Sequence, residues 1–496
     1  MKPAVDDTAL SDDTALAPGR LSLVGVLTQS IGFMGPVFSV SALLPLIVGS
    51  SATGHGAGIA TPVAILIAGV GVYGVAWIIA QYAKRIHLCG SLSDYVGNSA
   101  GSRLGLVSGW LYYGAMLVLA GATFLLIGGL TEEFLQTVLS ISVPWWVLSL
   151  GYIAVVMALI VIGVQISIRA QLALALISMA VVLAFSVFII VRGGQGGHSL
   201  SVEPFNPLAV GGLGLLYGVL YGINMFIGFE SAASLAEETA NPKRHIPRAV
   251  LLSLSVVGLY YLVTAYAQAV GFGLDPEAWK NSVFPLQSLS YGDEFGSAVF
   301  GHFVAAIVIL DVIAVTIGVG VAVTRGMLSM ARDGRLPTSL AVVHPKFRTP
   351  ARCTALLGAF AVLAVLVVAL GDGVLSRETG EPGVLAPQWS PAFGWMAGFG
   401  GLGLAVMYLV VSAVGVKGLW HEVSRVKLLI AAIVGVTVAA GAVFGAVYQA
   451  PSPLNTVPLA LLGWVALGVA WSFFALRRRS TPDTDHTAAQ TASVGD

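Results

Sequence analysis

Twelve separate stretches of this chain are long and apolar enough to cross a bilayer as helices, and that pattern leaves little freedom of fold. About 20 apolar residues span the roughly 30 Å hydrocarbon core in a helix. Stretches of that kind lie near 22–48, 58–83, 103–131, 144–165, 168–192, 208–236, 247–272, 296–326, 351–371, 392–416, 427–448 and 456–476. Charged residues are only 10% of the 496, and 57% are hydrophobic, against about 25% charged in soluble domains. The expectation is an all-α polytopic membrane protein with 12 transmembrane helices. A barrel is disfavoured, because barrel strands of about 10 residues alternate in polarity and these runs do not.

Loop charge sets an orientation. With both termini in the cytoplasm, Lys84, Arg85, Arg103, Arg169, Lys243, Arg244, Arg248, Arg332, Arg335, Lys346, Arg348, Lys417, Arg425 and Arg477 to Arg479 all fall inside, and only Arg192, Lys280 and Arg377 oppose. The outer connections carry Glu132, Glu133, Asp275, Glu277, Asp293, Glu294 and Asp372. This places the chain in the cytoplasmic membrane as a multi-pass protein whose surroundings are the lipid bilayer. Residues 1–20 are acidic, lack an apolar core and read as a polar tail rather than a signal peptide; 477–496 read as a second tail. Cys89 and Cys353 fall in loops on the reducing side, so no disulfide or metal framework is expected. The formal net charge of zero gives no suggestion of nucleic-acid binding.

Two spans carry glycines at their middles: the first at Ile31-Gly32-Phe33-Met34-Gly35-Pro36 and the sixth at Ile227-Gly228-Phe229. The offset between them also carries the start of the third span, near Arg103, onto that of the eighth, near Ser297. The expected organisation is therefore a first repeat over 21–192 with helices 1–5, a second over 205–416 with helices 6–10, and accessory helices 11 and 12 over 427–476. Five spans per repeat requires the second copy to be inverted, as in many secondary transporters. Broken helices are tolerated in lipid only where protein, water or solute satisfies the freed backbone. Their half-helix N-termini suit a carboxylate and their freed carbonyls an ammonium or cation; an α-amino acid presents both. The plainer reading is that the glycines only permit close packing, but packing alone does not require matching positions in two repeats.

Two carboxylates lie at membrane depth, Glu230 in the sixth span and Asp311 in the eighth. A charge there costs roughly 2.5–3.5 kcal/mol even on insertion scales, so such residues face a polar pathway. Glu230 either satisfies freed backbone groups as a protonated carboxyl or takes up and releases a proton during the cycle. Asp311 aligns with Gly318, Ala322 and Arg325 on a small-residue face turned inward, and proton relay, contact with a substrate amine and a structural hydrogen bond are all open to it. Trp145, Trp146, Trp464 and Trp471 near span ends read as interface anchors. The pattern Gly69-Val-Gly71-Val-Tyr-Gly74 lies inside an apolar span with no strand before it, and is not a dinucleotide loop. No phosphate-binding loop of the Walker type occurs, so no cofactor is expected and energy must come from gradients or exchange.

Gly228-Phe229-Glu230, then Glu237-Glu238-Thr239, Asn241-Pro242-Lys243-Arg244 and Ile246-Pro247-Arg248-Ala249, resemble the sixth-helix signature of the amino acid–polyamine–organocation permeases. Arg325 with Met330-Ala331-Arg332-Asp333-Gly334-Arg335-Leu336-Pro337 is similar to that family's segment after helix 8, and Gly90-Ser91-Leu92 through Tyr95-Val96 to its loop before helix 3. The resemblance covers spans 1 to 10. It implies a 5+5 inverted-repeat fold of the leucine-transporter type, alternating access, and substrate held between the breaks of helices 1 and 6. In that picture Gly32, Phe33, Met34 and Gly35 offer backbone groups to a carboxylate, while Phe226, Ile227, Gly228 and Phe229 supply carbonyls to an amine and an aromatic gate. The family usually has small residues where this chain has Phe33 and Met34. Some proton-coupled members carry a lysine in helix 5, where counting from Gly163 reaches Ser178 here.

The function expected is uptake of an amino acid or related amine driven by the proton gradient, with Glu230 and Asp311 as coupling candidates. An α-amino acid leads over a polyamine, which usually needs more than one carboxylate. Exchange is an alternative mode. A channel or sensor is disfavoured by the paired breaks, and a membrane enzyme by the lack of clustered nucleophiles or metal ligands.

Overall fold

The structure, a computed structural model, describes residues 16, 18–49, 56–197, 201–282, 284–371, 389–448 and 452–479. Asp372, Arg377 and most of both expected tails lie outside them. The described residues form helices throughout, twelve of which are long and apolar enough to span a membrane: span 1 Leu23–Val48, 2 Gly58–Ala83, 3 Ser102–Leu139, 4 Trp145–Ile162, 5 Gln165–Val191, 6 Gly212–Glu238, 7 Pro242–Gly271, 8 Ala298–Arg332, 9 Ala351–Leu370, 10 Trp389–Leu419, 11 Arg425–Val447 and 12 Leu454–Phe473. Within an apolar 18-residue stretch of each, 78% of the residues are buried in spans 3 and 8, against 28% in span 4 and 22% in span 12. Such contrast fits a bundle whose outer helices face lipid on most sides. Span 3 packs on spans 10 and 8, span 5 on span 8, and the two halves of span 1 lie among spans 5, 6, 7 and 8.

Local chemistry explains both interruptions. Span 1 is helical from Leu23 to Met34 and stops at Gly35, whose φ of 58° and ψ of 68° are left-handed. Pro36 then opens the second half at a position where its missing N–H costs nothing. The break is thus confined to Gly35, and Gly32, Phe33 and Met34 remain inside a regular helix. Span 6 runs as α-helix over Gly212–Asn224, turns through Met225–Gly228, and continues as 3-10 helix over Phe229–Glu238. Gly228 holds φ 111° at the turn.

Several expectations change with the structure. Span 3 continues to Leu139, so Glu132 and Glu133 sit on its final turns rather than in a connection. Cys353 lies in the first turn of span 9, not in a loop. Trp464 is in the middle of span 12 and is no interface anchor. Its Nε1 donates to the carbonyl of Trp110 while Trp110 Nε1 donates to the carbonyl of Trp464, each at 3.1 Å, and the rings stack at 4.7 Å. Gly114 accommodates the Trp464 ring and Gly468 that of Trp110, where a side chain would overlap them. Trp471 is likewise tethered, through Nε1 to the carbonyl of Arg335 at 2.8 Å. Gly69 faces Phe226, while Gly71 and Gly74 face span 11, which makes that glycine run a packing surface.

Candidate functional site

Cutting a helix exposes N–H groups at the start of its second half, and these carry partial positive charge. At the break in span 1 the donors are Val37 N–H and Phe38 N–H. Both donate to one oxygen of Asp311, Oδ2, at 3.1 and 2.8 Å. Span 8 can bring that carboxylate so close because Gly35 has no side chain; a Cβ there would lie 3.5 Å from Asp311 Oδ2 and overlap Val315. Asp311 is fully buried, and its other oxygen, Oδ1, has no hydrogen-bond partner among the described residues.

The break in span 6 is satisfied in the same way by a residue two positions on. Glu230 Oε2 accepts from Gly228 N–H at 3.2 Å and from the Tyr408 hydroxyl of span 10 at 2.7 Å, and Oε1 accepts from the Tyr112 hydroxyl of span 3 at 3.1 Å. Hydrogen bonds to charged groups are worth about 1.5–3 kcal/mol each, so three of them offset the several kcal/mol of burying a carboxylate. The two breaks are also stitched together. The Ser30 hydroxyl donates to the carbonyl of Phe229 at 2.6 Å and accepts from Ala232 N–H at 3.2 Å, and the Ser231 hydroxyl donates to the carbonyl of Gln29 at 3.2 Å. The Tyr261 hydroxyl of span 7 donates to the carbonyl of Met225 at 2.8 Å. Phe33 packs on Gly228.

Of the residues singled out from the sequence, Gly32, Phe33, Met34, Gly35, Phe226, Gly228, Phe229, Glu230 and Asp311 are buried within the protein, and Ile227 is partly exposed. Phe226 turns away from span 1, onto Gly69 of span 2 and Gly258 and Tyr261 of span 7. The face of Gly32 is filled by Gln171 of span 5. Gln171 donates through Nε2 to the carbonyl of Ala314 at 3.1 Å, so the span 5 side chain inserted between spans 1 and 8 is this neutral amide. Ser178, reached by counting, donates to Leu174 one turn earlier instead. Sequence reasoning missed Tyr112, Tyr408, Ser30 and Tyr261. The available signal was weak: a buried tyrosine tip needs a partner, but nothing in the sequence says which.

A second polar cluster closes the basic end of the bundle. Arg325 of span 8 pairs with Glu238 at the end of span 6, Nε to Oε2 at 2.7 Å and Nη2 to Oε1 at 3.4 Å, with both side chains fully buried. Arg332 Nη1 donates to Glu237 Oε2 at 2.6 Å, and Cys89 N–H to Glu237 Oε1 at 3.1 Å. Arg335 lies between Asp333 at 3.1 Å and Asp94 at 3.7 Å. The acidic and basic motifs that mark the sequence are therefore partners in space.

Burial, reinforced by the Asp333 charge, pushes the Asp94 carboxyl up to about 7 despite Arg335 nearby. The folded state therefore holds this proton more tightly than the unfolded chain. As pH rises from about 4 to about 7 the unfolded chain releases it first, so stability falls across that window and levels off above it. Asp94→Asn should flatten this slope, on the order of a few kcal/mol over the window. Melting temperatures of both proteins from acid to neutral pH check it; parallel curves would exonerate Asp94.

A helical bundle with two mid-membrane breaks, each closed by a buried carboxylate and joined to the other, has the architecture of a polytopic transport protein. The family model for amino acid permeases matches residues 31–450, and the chain belongs to that family, within the amino acid–polyamine–organocation superfamily. Among curated relatives, the low-affinity putrescine importer PlaP of Escherichia coli (strain K12) is 25% identical over 354 residues, covering 70% of this chain and 74% of that one. The branched-chain amino acid permease BcaP of Bacillus subtilis (strain 168) is 27% identical over 353 residues, covering 65% and 73%. Among solved structures, MhsT in complex with L-phenylalanine aligns with a TM-score of 0.55 at 15% identity, covering 86% of this chain and 99% of that one. At that identity the likeness is one of fold, the leucine-transporter type. The expected all-helical, twelve-span fold and the family resemblance both hold.

Proposed function

We propose that the protein is a secondary active transporter that carries an amino acid or a closely related amine across the cytoplasmic membrane by alternating access, with uptake driven by the proton gradient. The observation that carries this reading is the pair of broken helices, each with a buried carboxylate on its freed N–H groups. Relatives named for putrescine and for branched-chain amino acids support this choice of substrate class. In this reading residues 21–192 and 205–416 are inverted repeats, 427–476 are accessory, and both termini are cytoplasmic. The cluster of Arg325, Glu238, Arg332 and Glu237 then shuts the inner side, and substrate leaves when spans 6 and 8 part there. Gly32 to Gly35 and Phe226 to Phe229 form the hinged walls around the substrate, with partly exposed Ile227 on its path.

Labelled amino acids and amines offered to proteoliposomes, with and without imposed proton and sodium gradients, test the proposal. Saturable uptake with counterflow, stimulated by an inside-alkaline gradient, is the expected result; linear flux without saturation sinks the carrier reading. Glu230→Gln removes the charge but keeps one acceptor oxygen. It should lower gradient-driven uptake at least about tenfold, the equivalent of roughly 1.4 kcal/mol, while counterflow persists. Normal gradient-driven uptake across pH would rule out a proton-carrying role for Glu230.

A further inference from the structure

We propose that Asp311 is the anchor for the substrate's ammonium group, and that the preferred substrate is a primary amine lacking a carboxylate on the adjacent carbon. This rests on the transport reading above and decides within it.

The groups expected to receive an amino acid are largely engaged by the protein itself. The N-terminus of the second half of span 1, the natural seat for a substrate carboxylate, is filled by Asp311 Oδ2 on Val37 and Phe38 N–H. A second carboxylate arriving there would find its donors taken and a like charge beside it. On span 6, the carbonyl of Met225 accepts from Tyr261, that of Phe226 from Phe229 N–H, that of Gly228 from Ser231 N–H, and that of Phe229 from Ser30. Glu230 already has three donors. Four of the five carbonyls from Met225 to Phe229, and the acid beside them, are thus already committed.

What remains open is of one chemical kind. Asp311 Oδ1 is buried and has no partner among the described residues, and the same holds for the Tyr260 hydroxyl of span 7. Spans 7 and 8, which carry the two groups, both pack on the half-helix Pro36–Phe38. An ammonium carries three N–H donors; one can go to the carboxylate and another to the hydroxyl oxygen, turning a buried unpaired charge into a neutral pair. The unpaired amide oxygens of Gln29 and Gln171 lie further along the face of span 8, where both residues donate to the carbonyls of Gly318 and Ala314. They add acceptors without charge. Asp311 is therefore the charged acceptor at the breaks with capacity to spare. With the amine on Asp311, Glu230 is left as the proton-carrying group.

The test is uptake and competition in proteoliposomes of the full chain with matched pairs that differ only in the carboxylate: isoamylamine and leucine, phenethylamine and phenylalanine, putrescine and ornithine, agmatine and arginine. The amine of at least one pair should compete at a concentration at least tenfold lower than its amino acid. Amino acids leading in every pair would overturn the inference and leave the transport reading intact. Failure of every compound to be taken up under any gradient would overturn both. Asp311→Asn keeps an oxygen for Val37 and Phe38 N–H, so the break stays capped, and the amine preference should fall at least tenfold. Tyr260→Phe provides the second variant should that protein fail to fold, with a severalfold loss expected. An unchanged preference in whichever of the two folds overturns the assignment.

Discussion

Arg325→Ala is expected to destabilise the protein by about 3–5 kcal/mol, because it strands the Glu238 carboxylate in a fully buried site. Both side chains are fully buried, and the guanidinium meets the carboxylate through two nitrogens. Glu238→Ala should cost a similar amount by stranding the guanidinium. Replacing both together, as Arg325→Met with Glu238→Leu, removes two desolvation penalties along with the pair and should lie much closer to the parent than the sum of the single changes. Thermal unfolding of the four proteins in detergent measures this. Single variants within about 1 kcal/mol of the parent, the range of exposed pairs, would mean that water reaches this cluster. Under the proposed mechanism the singles should also leak, since the pair holds spans 6 and 8 together at their basic ends.

Gly228→Ala should be among the most damaging small substitutions at the breaks. The backbone at φ 111° is one that side chains rarely adopt, and forcing it costs on the order of 1–3 kcal/mol. A Cβ would also stand 2.7 Å from Phe33 Cδ2. Phe33→Leu in the same chain should recover the steric part and leave the backbone part. Gly151, on an exposed face of span 4 with nothing within 4 Å of its Cβ position, is the control: alanine there should be neutral or slightly stabilising, up to about 1 kcal/mol. Equal losses at Gly151 and Gly228 would remove the case for a strained turn in span 6.

The spans were legible in the sequence because the cost of exposing backbone to lipid leaves only helices and closed barrels, and long continuous apolar runs select helices. Their ends were less so. Glu132 and Glu133 look like a connection, yet span 3 carries them on helical turns that reach Leu139. The carboxylates at the breaks stood out because charge in hydrocarbon is conspicuous. Their donors did not: Tyr112 and Tyr408 lie 118 and 178 residues from Glu230 along the chain, and any of many hydroxyls would have served. Counting from Gly163 reached Ser178 and missed Gln171, because side-chain insertion depends on which facing position is empty. That position is Gly32.

The clasp between Trp110 and Trp464 joins residues 354 apart, and it has a consequence for the order of synthesis. Span 3 enters the membrane long before span 12 exists, with the hollow beside Gly114 unfilled and the indole of Trp110 without its acceptor. The bundle can gather around spans 1, 6 and 8 in the meantime, but span 3 is finished only when its late partner arrives. A nascent chain stopped before span 12 should be open at that seam and accessible to quality-control proteases, even with every residue of the two breaks in place.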